Sequence, residues 1–288
     1  MANQVARRRL AYPCTYRNED NLNAIELKAK WRRGEPSPGM WLSLTDITVA
    51  EMIRDVGLDW VAIDTEHTAI DLQSLQNLLI ALGDTPTIAR VPGGDPVHIK
   101  RVLDMGADGV IVPHITSAAD ARLAAAACKY PPLGIRGTGP RRPSRYGLDE
   151  KAYLAAANDS TIVVIMIETV GVVEDFDAVL AVEGLDACMI GAVDLSASMG
   201  LLPAFDDPRV IATIDRVAAK ARAANMPLMS GRSPDADESS PFGWKNLLMQ
   251  GLHIIPIASD QGLILAGARE MLALFRAEAA NGVSLCHE

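Results

Sequence analysis

Residues 161–200 read TIVVIMIETVGVVEDFDAVLAVEGLDACMIGAVDLSASMG, and this stretch decides how the chain folds. It holds two short apolar runs, 161–168 (TIVVIMIE) and 187–193 (ACMIGAV), separated by a helical pattern at 171–182. Strands that are apolar throughout, rather than alternating, are buried on both faces, as in parallel sheets covered by helices. Each run ends in a carboxylate, Glu168 or Asp194. Burying an isolated charge is very costly, so the two carboxylates need a partner. A hard divalent cation shared between strand ends is the simplest one, and capping of the next helix or pairing with an arginine is the plainer alternative.

Working outward, the same unit recurs. Apolar runs at 39–44, 60–66, 86–91, 109–115, 227–230 and 253–258 join the first two to make eight predicted strands. Helical patterns are predicted near 46–57, 71–83, 96–106, 117–128, 149–157, 171–182, 208–224, 237–251 and 261–279. Alternating β and α elements specify a parallel α/β fold. A closed (β/α)8 TIM barrel of about 250 residues fits 37–280. An open doubly wound sheet is the competing arrangement, but no GxGxxG follows the first strand. Asp46, Asp71 and Ser117 are expected helix caps, and Gly57, Gly83 and Gly106 expected helix ends. The expected organisation is an N-terminal arm (1–22), one barrel domain (23–280) and a tail (281–288). Residues 133–147, LGIRGTGPRRPSRYG, read as a functional loop whose arginines 136, 141, 142 and 145 either funnel an anionic substrate or form a solvated or subunit contact.

The chain has 288 residues, and 49% hydrophobic content gives it a core that needs no disulfides. A net charge of −9 and an aromatic content of 5% argue against a nucleic-acid binder with a basic face or stacking platform. Cys14, Cys128, Cys188 and Cys286 show neither CxxC nor zinc spacing and read as reduced thiols, Cys188 as core. No run approaches the roughly 20 apolar residues of a membrane span. The expected location is the cytoplasm, without a membrane partner.

The remaining strand ends also carry chemistry. WVAIDTEH (60–67) ends with Asp64, Glu66 and His67, and TPTIARVP (85–92) carries Arg90. Histidine suits proton transfer near neutral pH, although a lone histidine is more often structural. Arg90 offers a rigid cationic fork for a carboxylate or an enolate oxygen, with a salt bridge to Asp64 or Glu66 as its plain reading. Asp104, on a helix, could hydrogen-bond a histidine, but its spacing favours a solvated position. His114 ends the fourth run and could line the pocket. Oxygen ligands on two strands suit Mg²⁺ or Mn²⁺, with Co²⁺ a third candidate.

These residues together resemble the HpcH/HpaI aldolases, metal-dependent class II pyruvate aldolases. The matching segments are GMWLSLTDITVAEMIRDVGLDWVAIDTEHTAIDL, ARVPGGDPVHIKRVLDMGADGVIVPHITSAADA, KYPPLGIRGTGP, IMIET and IGAVDLSASMG, spanning about 37–202. The resemblance implies a (β/α)8 barrel with an exchanged C-terminal helix, assembled as a homo-oligomer, a hexamer built as a trimer of dimers. It implies Glu168 and Asp194 as metal ligands, and His67 as the base, oriented by acidic neighbours such as Asp64 and Asp104. It implies Arg90 on the keto or enolate oxygen, and the backbone around Ala192, Val193 and Asp194 on the substrate carboxylate. Three positions depart from the family pattern. Met166 stands where a glutamine is common, Ala192-Val193 follow Gly191 where G-P-x-D is common, and a methionine is common near His114. The segment SGRSPDADESSPFGWKN is also unlike the usual seventh-strand loop.

The implied reaction is cleavage or formation of a 4-hydroxy-2-keto acid, to or from pyruvate and an aldehyde, through the enolate of pyruvate. All lysines (28, 30, 100, 129, 151, 220 and 245) read as helix or loop residues, which disfavours a Schiff-base route. A related reading is a macrophomate-synthase-like enzyme that decarboxylates oxaloacetate and joins carbon atoms through the same enolate. A catalytically silent barrel that binds keto acids is the third.

Overall fold

Strand order settles the choice between barrel and open sheet. In the computed structural model, which describes residues 22–283 except 235, 236 and 238, eight parallel strands close in sequence order. They are β1 (Ser37–Leu42), β2 (Trp60–Asp64), β3 (Thr87–Arg90), β4 (Gly109–Val112), β5 (Ile162–Ile167), β6 (Ala187–Ile190), β7 (Leu228–Ser230) and β8 (Leu252–Ser259), with β8 pairing to β1. The helices are α1 (Ala24–Arg32), α2 (Ile47–Arg54), α3 (Leu72–Leu82), α4 (Pro96–Met105), α5 (Ala118–Cys128) and α6 (Glu150–Ser160). They continue with α7 (Val170–Glu174), α8 (Phe176–Leu180), α9 (Ala192–Ser198), α10 (Pro208–Ala223), α11 (Trp244–Gln250) and α12 (Asp260–Val283). Most of the expected arm, with Cys14, and the chain's last residues, with Cys286 and His287, lie outside the described residues.

Successive strand residues face opposite sides, so alternate residues line the barrel's interior. Trp41, Trp60, Ala62, Ile88, Ile111, Ile162, Val164, Met166, Ala187, Met189, Met229 and Ile254 form that inner core, and Val61, Ile63, Val110, Val163, Ile165 and Ile167 pack outward against the helices. Gly39 makes room inside: a Cβ there would stand 2.1 Å from the Trp60 ring. The expected caps form, with Asp46, Asp71 and Ser117 accepting from the N–H groups of Thr48, Ser74 and Asp120.

Several elements differ from expectation. The run 187–193 stops as a strand at Ile190, and Ala192 opens α9 instead. The run 109–115 stops at Val112, because Pro113 lacks a ladder N–H and His114 turns the chain at φ +58°. The helix expected at 171–182 is two short helices broken at Asp175, whose carboxylate accepts from the Ala118 N–H at 2.6 Å. The helix expected at 237–251 begins only at Trp244, after Pro241 and a turn in which Asp237 accepts from Ser239. Sequence reading missed α1, although Asn23 and Glu26 make a capping box, a recognisable start signal. It closes the N-terminal end of the barrel, with Leu27 and Trp31 buried.

The loop at 133–147 also lies elsewhere than expected. It joins α5 to α6 and packs against the C-terminal ends of α3 and α4, the end opposite the strand-end carboxylates: Arg142 donates to the Leu79 carbonyl. Arg136 pairs there with Asp104 at 2.7 Å, and Arg145 pairs locally with Asp149 at 2.9 Å. Within this chain the loop lies away from the mouth, which agrees with the contact reading of its arginines.

Candidate active site at the C-terminal mouth

The inward-facing register delivers the polar residues to one end of the barrel. Asp64 continues the inner row Trp60–Ala62, Arg90 continues Ile88, and Glu168 continues Ile162–Val164–Met166. Strand pairing sets Asp64 beside Arg90. The Arg90 guanidinium donates to Asp64 through Nε at 3.0 Å and Nη2 at 2.7 Å, a bidentate fork. It lies over the Trp41 ring, 4.7 Å from the centroid, and its Nε is 3.3 Å from Glu66 Oε2. Asp64 Oδ1 also accepts from the N–H groups of Glu66 and His67. Burial pushes the Asp64 carboxyl up, but the Arg90 hydrogen bonds and charge, with these N–H groups, outweigh it and hold the carboxyl below its ordinary value.

Glu168 stands in a different environment. It is buried, and its Oε1 accepts the backbone N–H of His114 at 2.6 Å. Burial pushes its carboxyl up, and the negative charges of Asp194 and Glu66 push the same way. Gly191 is next in the inner row after Ala187 and Met189. A Cβ there would lie 2.9 Å from Glu168 Cβ, 3.0 Å from its Oε2 and 3.2 Å from Met166 Cε. Only glycine leaves room for the glutamate. Asp194 is exposed in the first turn of α9, one turn beyond Gly191, and Ala192 is buried below it. That first turn has no side-chain cap, so the N–H groups of Ala192, Val193 and Asp194 point out of the helix without an intrahelical acceptor.

The two histidines converge on Glu66. His67 Nε2 is 3.4 Å from Glu66 Oε2, and the His67 side chain is 61% exposed at the mouth. His114 Nε2 is 3.0 Å from Glu66 Oε1, and its Nδ1 is 3.8 Å from Glu168 Oε1. Glu66 thus contacts both histidines and Arg90, a role its place in DTEH did not reveal. Asp64 touches His67 through the backbone rather than the ring. Asp104 is not brought to His67 within this chain; it receives the buried Arg136, which also faces the Tyr130 ring. Sequence reading also missed Trp41 and Gly191, for which the inner-row parity was the available signal.

Carboxylates, a fixed guanidinium and two imidazoles gathered at the C-terminal mouth of a (β/α)8 barrel make a candidate enzyme site. Comparison with known proteins is more specific. Residues 38–266 match the family model for HpcH/HpaI aldolase/citrate lyase. The chain is 35% identical over 251 residues to a 4-hydroxy-2-oxo-heptane-1,7-dioate aldolase of Salmonella heidelberg, covering 86% of this chain and 93% of that one. A crystal structure of an HpcH/HpaI aldolase/citrate lyase family protein from Burkholderia cenocepacia superposes with a TM-score of 0.81 at 29% identity, covering 87% and 98% of the two chains. Macrophomate synthase shares the fold, with a TM-score of 0.77 at 24% identity over 91% of each chain. The chain belongs to the HpcH/HpaI aldolase/citrate lyase family.

Proposed function

We propose that this chain is a class II pyruvate aldolase, cleaving or forming 4-hydroxy-2-keto acids by way of pyruvate enolate and an aldehyde. One observation carries the reading: Glu168 is buried beside Asp194 and Glu66 with its carboxyl pushed up, a concentration of negative charge that a cation would balance. The donor set fits a hard divalent ion, since one carboxylate from the end of β5 and one from the first turn of α9 leave positions for water and substrate oxygens. Glu168 and Asp194 would hold Mg²⁺ or Mn²⁺, with Co²⁺ a further candidate. When bound, the ion supplies Lewis-acid polarisation of the 2-keto oxygen.

The chain's own residues account for the remaining steps. The N–H groups of Ala192, Val193 and Asp194 receive the substrate carboxylate, favoured by the helix start. Met166 forms the apolar floor beneath Glu168. Arg90, fixed by Asp64 and Trp41, has Nη1 free of the fork and directs it at the oxygen that becomes negative. His67 takes the 4-hydroxyl proton, and Glu66 stabilises the resulting imidazolium. The C3–C4 bond then breaks, leaving the aldehyde, and its electron pair moves into the enolate, which is protonated to pyruvate. Sequence identity to a named aldolase supports the same reaction class.

Assembly as a homo-oligomer belongs to the same proposal. Helix α12 is anchored by the buried Asp260, which accepts from the N–H groups of Ser43 and Leu44, and is exposed from Gln261 onward. Leu263, Ile264, Met271, Leu272 and Phe275 stand 47–70% exposed along it, a large apolar surface that a second copy would cover. Sedimentation of a chain ending before Gln261 is expected to show a smaller species; an unchanged one removes α12 from the interface.

The test of the chemistry is exchange of pyruvate methyl protons in D₂O. It is expected only with added divalent ion, together with pyruvate release from a 4-hydroxy-2-keto acid. Oxaloacetate decarboxylation needs no 4-hydroxyl proton removed. His67→Asn is therefore expected to lose aldol cleavage by about 10²–10⁴-fold while largely retaining decarboxylation. Equal losses would make His67 a positioning residue, and decarboxylation without aldol cleavage in the unmodified enzyme would favour the macrophomate-synthase-like reaction.

A further inference from the structure

We infer that a cavity at the N-terminal end of the barrel binds an aliphatic carboxylate, with the charged head on Lys129 and the chain against small apolar side chains of α1 and α5. The cavity has a volume of about 910 Å³ and lies between α1, α5, the end of α6 and the connection from α8 to β6. Sites for small organic molecules typically span about 300–1,000 Å³. The cavity is beside the starts of β5 and β6 and shares no residue with the candidate active site.

Its wall holds an uncompensated buried charge. Lys28, Lys129 and Asp186 are the buried charged groups there. Lys28 forms an ion pair with Asp186 at 3.0 Å, and Asp186 also accepts the Val163 N–H. Lys129, only 7% exposed, donates to the Asn158 and Thr161 carbonyls at 2.7 and 2.9 Å and has no carboxylate partner among the described residues. An ammonium has three N–H donors, so one of them remains for a ligand. Lys28 donates to the same Thr161 carbonyl, which brings the two like charges together. Burial, and then the charge of Lys28, push the Lys129 ammonium below its ordinary value, and a bound anion would offset both effects.

The other charged groups of the wall are exposed and balance, Arg32 and Arg122 against Asp159 and Glu183. Water and salt screen exposed charges far more than buried ones, so the two buried ammoniums against one buried carboxylate dominate the field. One excess positive charge and one open donor suit a monoanion; a phosphate dianion would turn the excess into a deficit. Ala29, Ala125 and Ala126 leave room for a hydrocarbon chain, and Leu133 stands 68% exposed beside them.

The probe is octanoate, titrated by calorimetry into the full-length protein. The comparison compounds are 1-octanol, which has the chain without the charge, and acetate, which has the charge without the chain. Octanoate is expected to bind once per chain, and each comparison compound at least about tenfold more weakly. Lys129→Met is expected to weaken octanoate about 10–100-fold, the loss of one charge-assisted hydrogen bond, and to leave octanol unchanged. Methionine strands the Asn158 and Thr161 carbonyls, so an exposed position provides a second variant. Leu133→Glu is expected to weaken octanoate at least about threefold by repulsion, and Leu133→Gln not to do so. Arg90→Lys, at the mouth, is expected to leave octanoate affinity unchanged. Failure of octanoate to bind, equal affinity for octanol, or loss of binding in Arg90→Lys would overturn the assignment. So would unchanged affinity in folded Lys129→Met or, if that variant does not fold, in Leu133→Glu.

Discussion

The two ends of the barrel bury charge in opposite ways. At the N-terminal end, Lys28 pairs with Asp186 at 3.0 Å and donates to the Asp159 and Thr161 carbonyls. Lys129 donates to the carbonyls of Asn158 and Thr161, and the buried Arg136 meets Asp104. There Lys28 and Arg136 each meet a carboxylate of the chain, and Lys129 meets two main-chain carbonyls. At the C-terminal end the Asp64–Arg90 pair is similarly satisfied, but Glu168 has only the His114 N–H and, at 3.8 Å, the His114 ring against the negative charges of Asp194 and Glu66. On the proposed reading, the surplus negative charge around Glu168 is what a cation would balance, whereas the paired ions of the other end serve the fold. The apolar stacks between the ends are the same; only the residues that top and bottom them differ.

The contrast can be broken at either end. Glu168→Gln carries the largest expected effect: activity falls on the order of 10³-fold or more, as several kcal/mol of charge stabilisation is lost. Its thermal midpoint is expected to hold or rise, because an uncompensated buried carboxylate has been removed. A large fall in stability would mean that Glu168 holds the barrel together. Asp186→Ala is the mirror experiment. Stranding Lys28 is expected to cost about 3–5 kcal/mol in urea unfolding. Turnover per folded molecule should stay near the unmodified value, and a comparable loss of turnover would show that the two ends are coupled.

Arg90→Lys sharpens the comparison within the mouth itself. A lysine keeps the charge but loses the fork to Asp64 and the rigid donor, so kcat is expected to fall about 10²–10³-fold. A loss confined to KM would move Arg90 from the reacting oxygen to ground-state binding.

The smallest effect is expected at Asp108, on the N-terminal end just before β4. Burial pushes its carboxyl up to about 6 from 3.8, against the Thr87 N–H and the Arg142 charge, which lower it. The folded state therefore holds this proton more tightly than the unfolded chain. Its contribution to stability is full below about pH 4 and is lost as pH rises through about 6. Asp108→Asn is expected to stabilise by on the order of 1 kcal/mol at pH 7.5 and not at all below pH 4. A gain that does not vary with pH would point away from the carboxyl.

Much of this was legible beforehand. The runs ending in Asp64, Arg90 and Glu168 announced strand ends, because a charge after continuous apolar residues cannot stay inside a two-faced sheet. Caps at Asp46, Asp71 and Ser117 announced where helices begin. Boundaries after the strands were less legible. Gly191 reads as part of an apolar run until Glu168 is seen to need its missing Cβ. Arg136 and Asp104 read as a loop cation and a solvated helix residue because nothing local couples positions 32 apart in the chain. The two readings of the loop at 133–147 stayed open in the sequence because composition identifies a loop without saying which end of the barrel it joins.

The sequence by itself determined the repeating strand–helix order, the inward parity of each strand and the set of polar residues that must emerge at the mouth. These follow from periodicity and from the cost of burying charge, both readable one segment at a time. Tertiary structure decided which of those residues meet. Closure of β8 on β1, the register that sets Asp64 beside Arg90, and the turn at His114 that aims its ring between Glu66 and Glu168 are all relations between segments distant in sequence. Pairing of charges depends on distance in space, which no single segment contains.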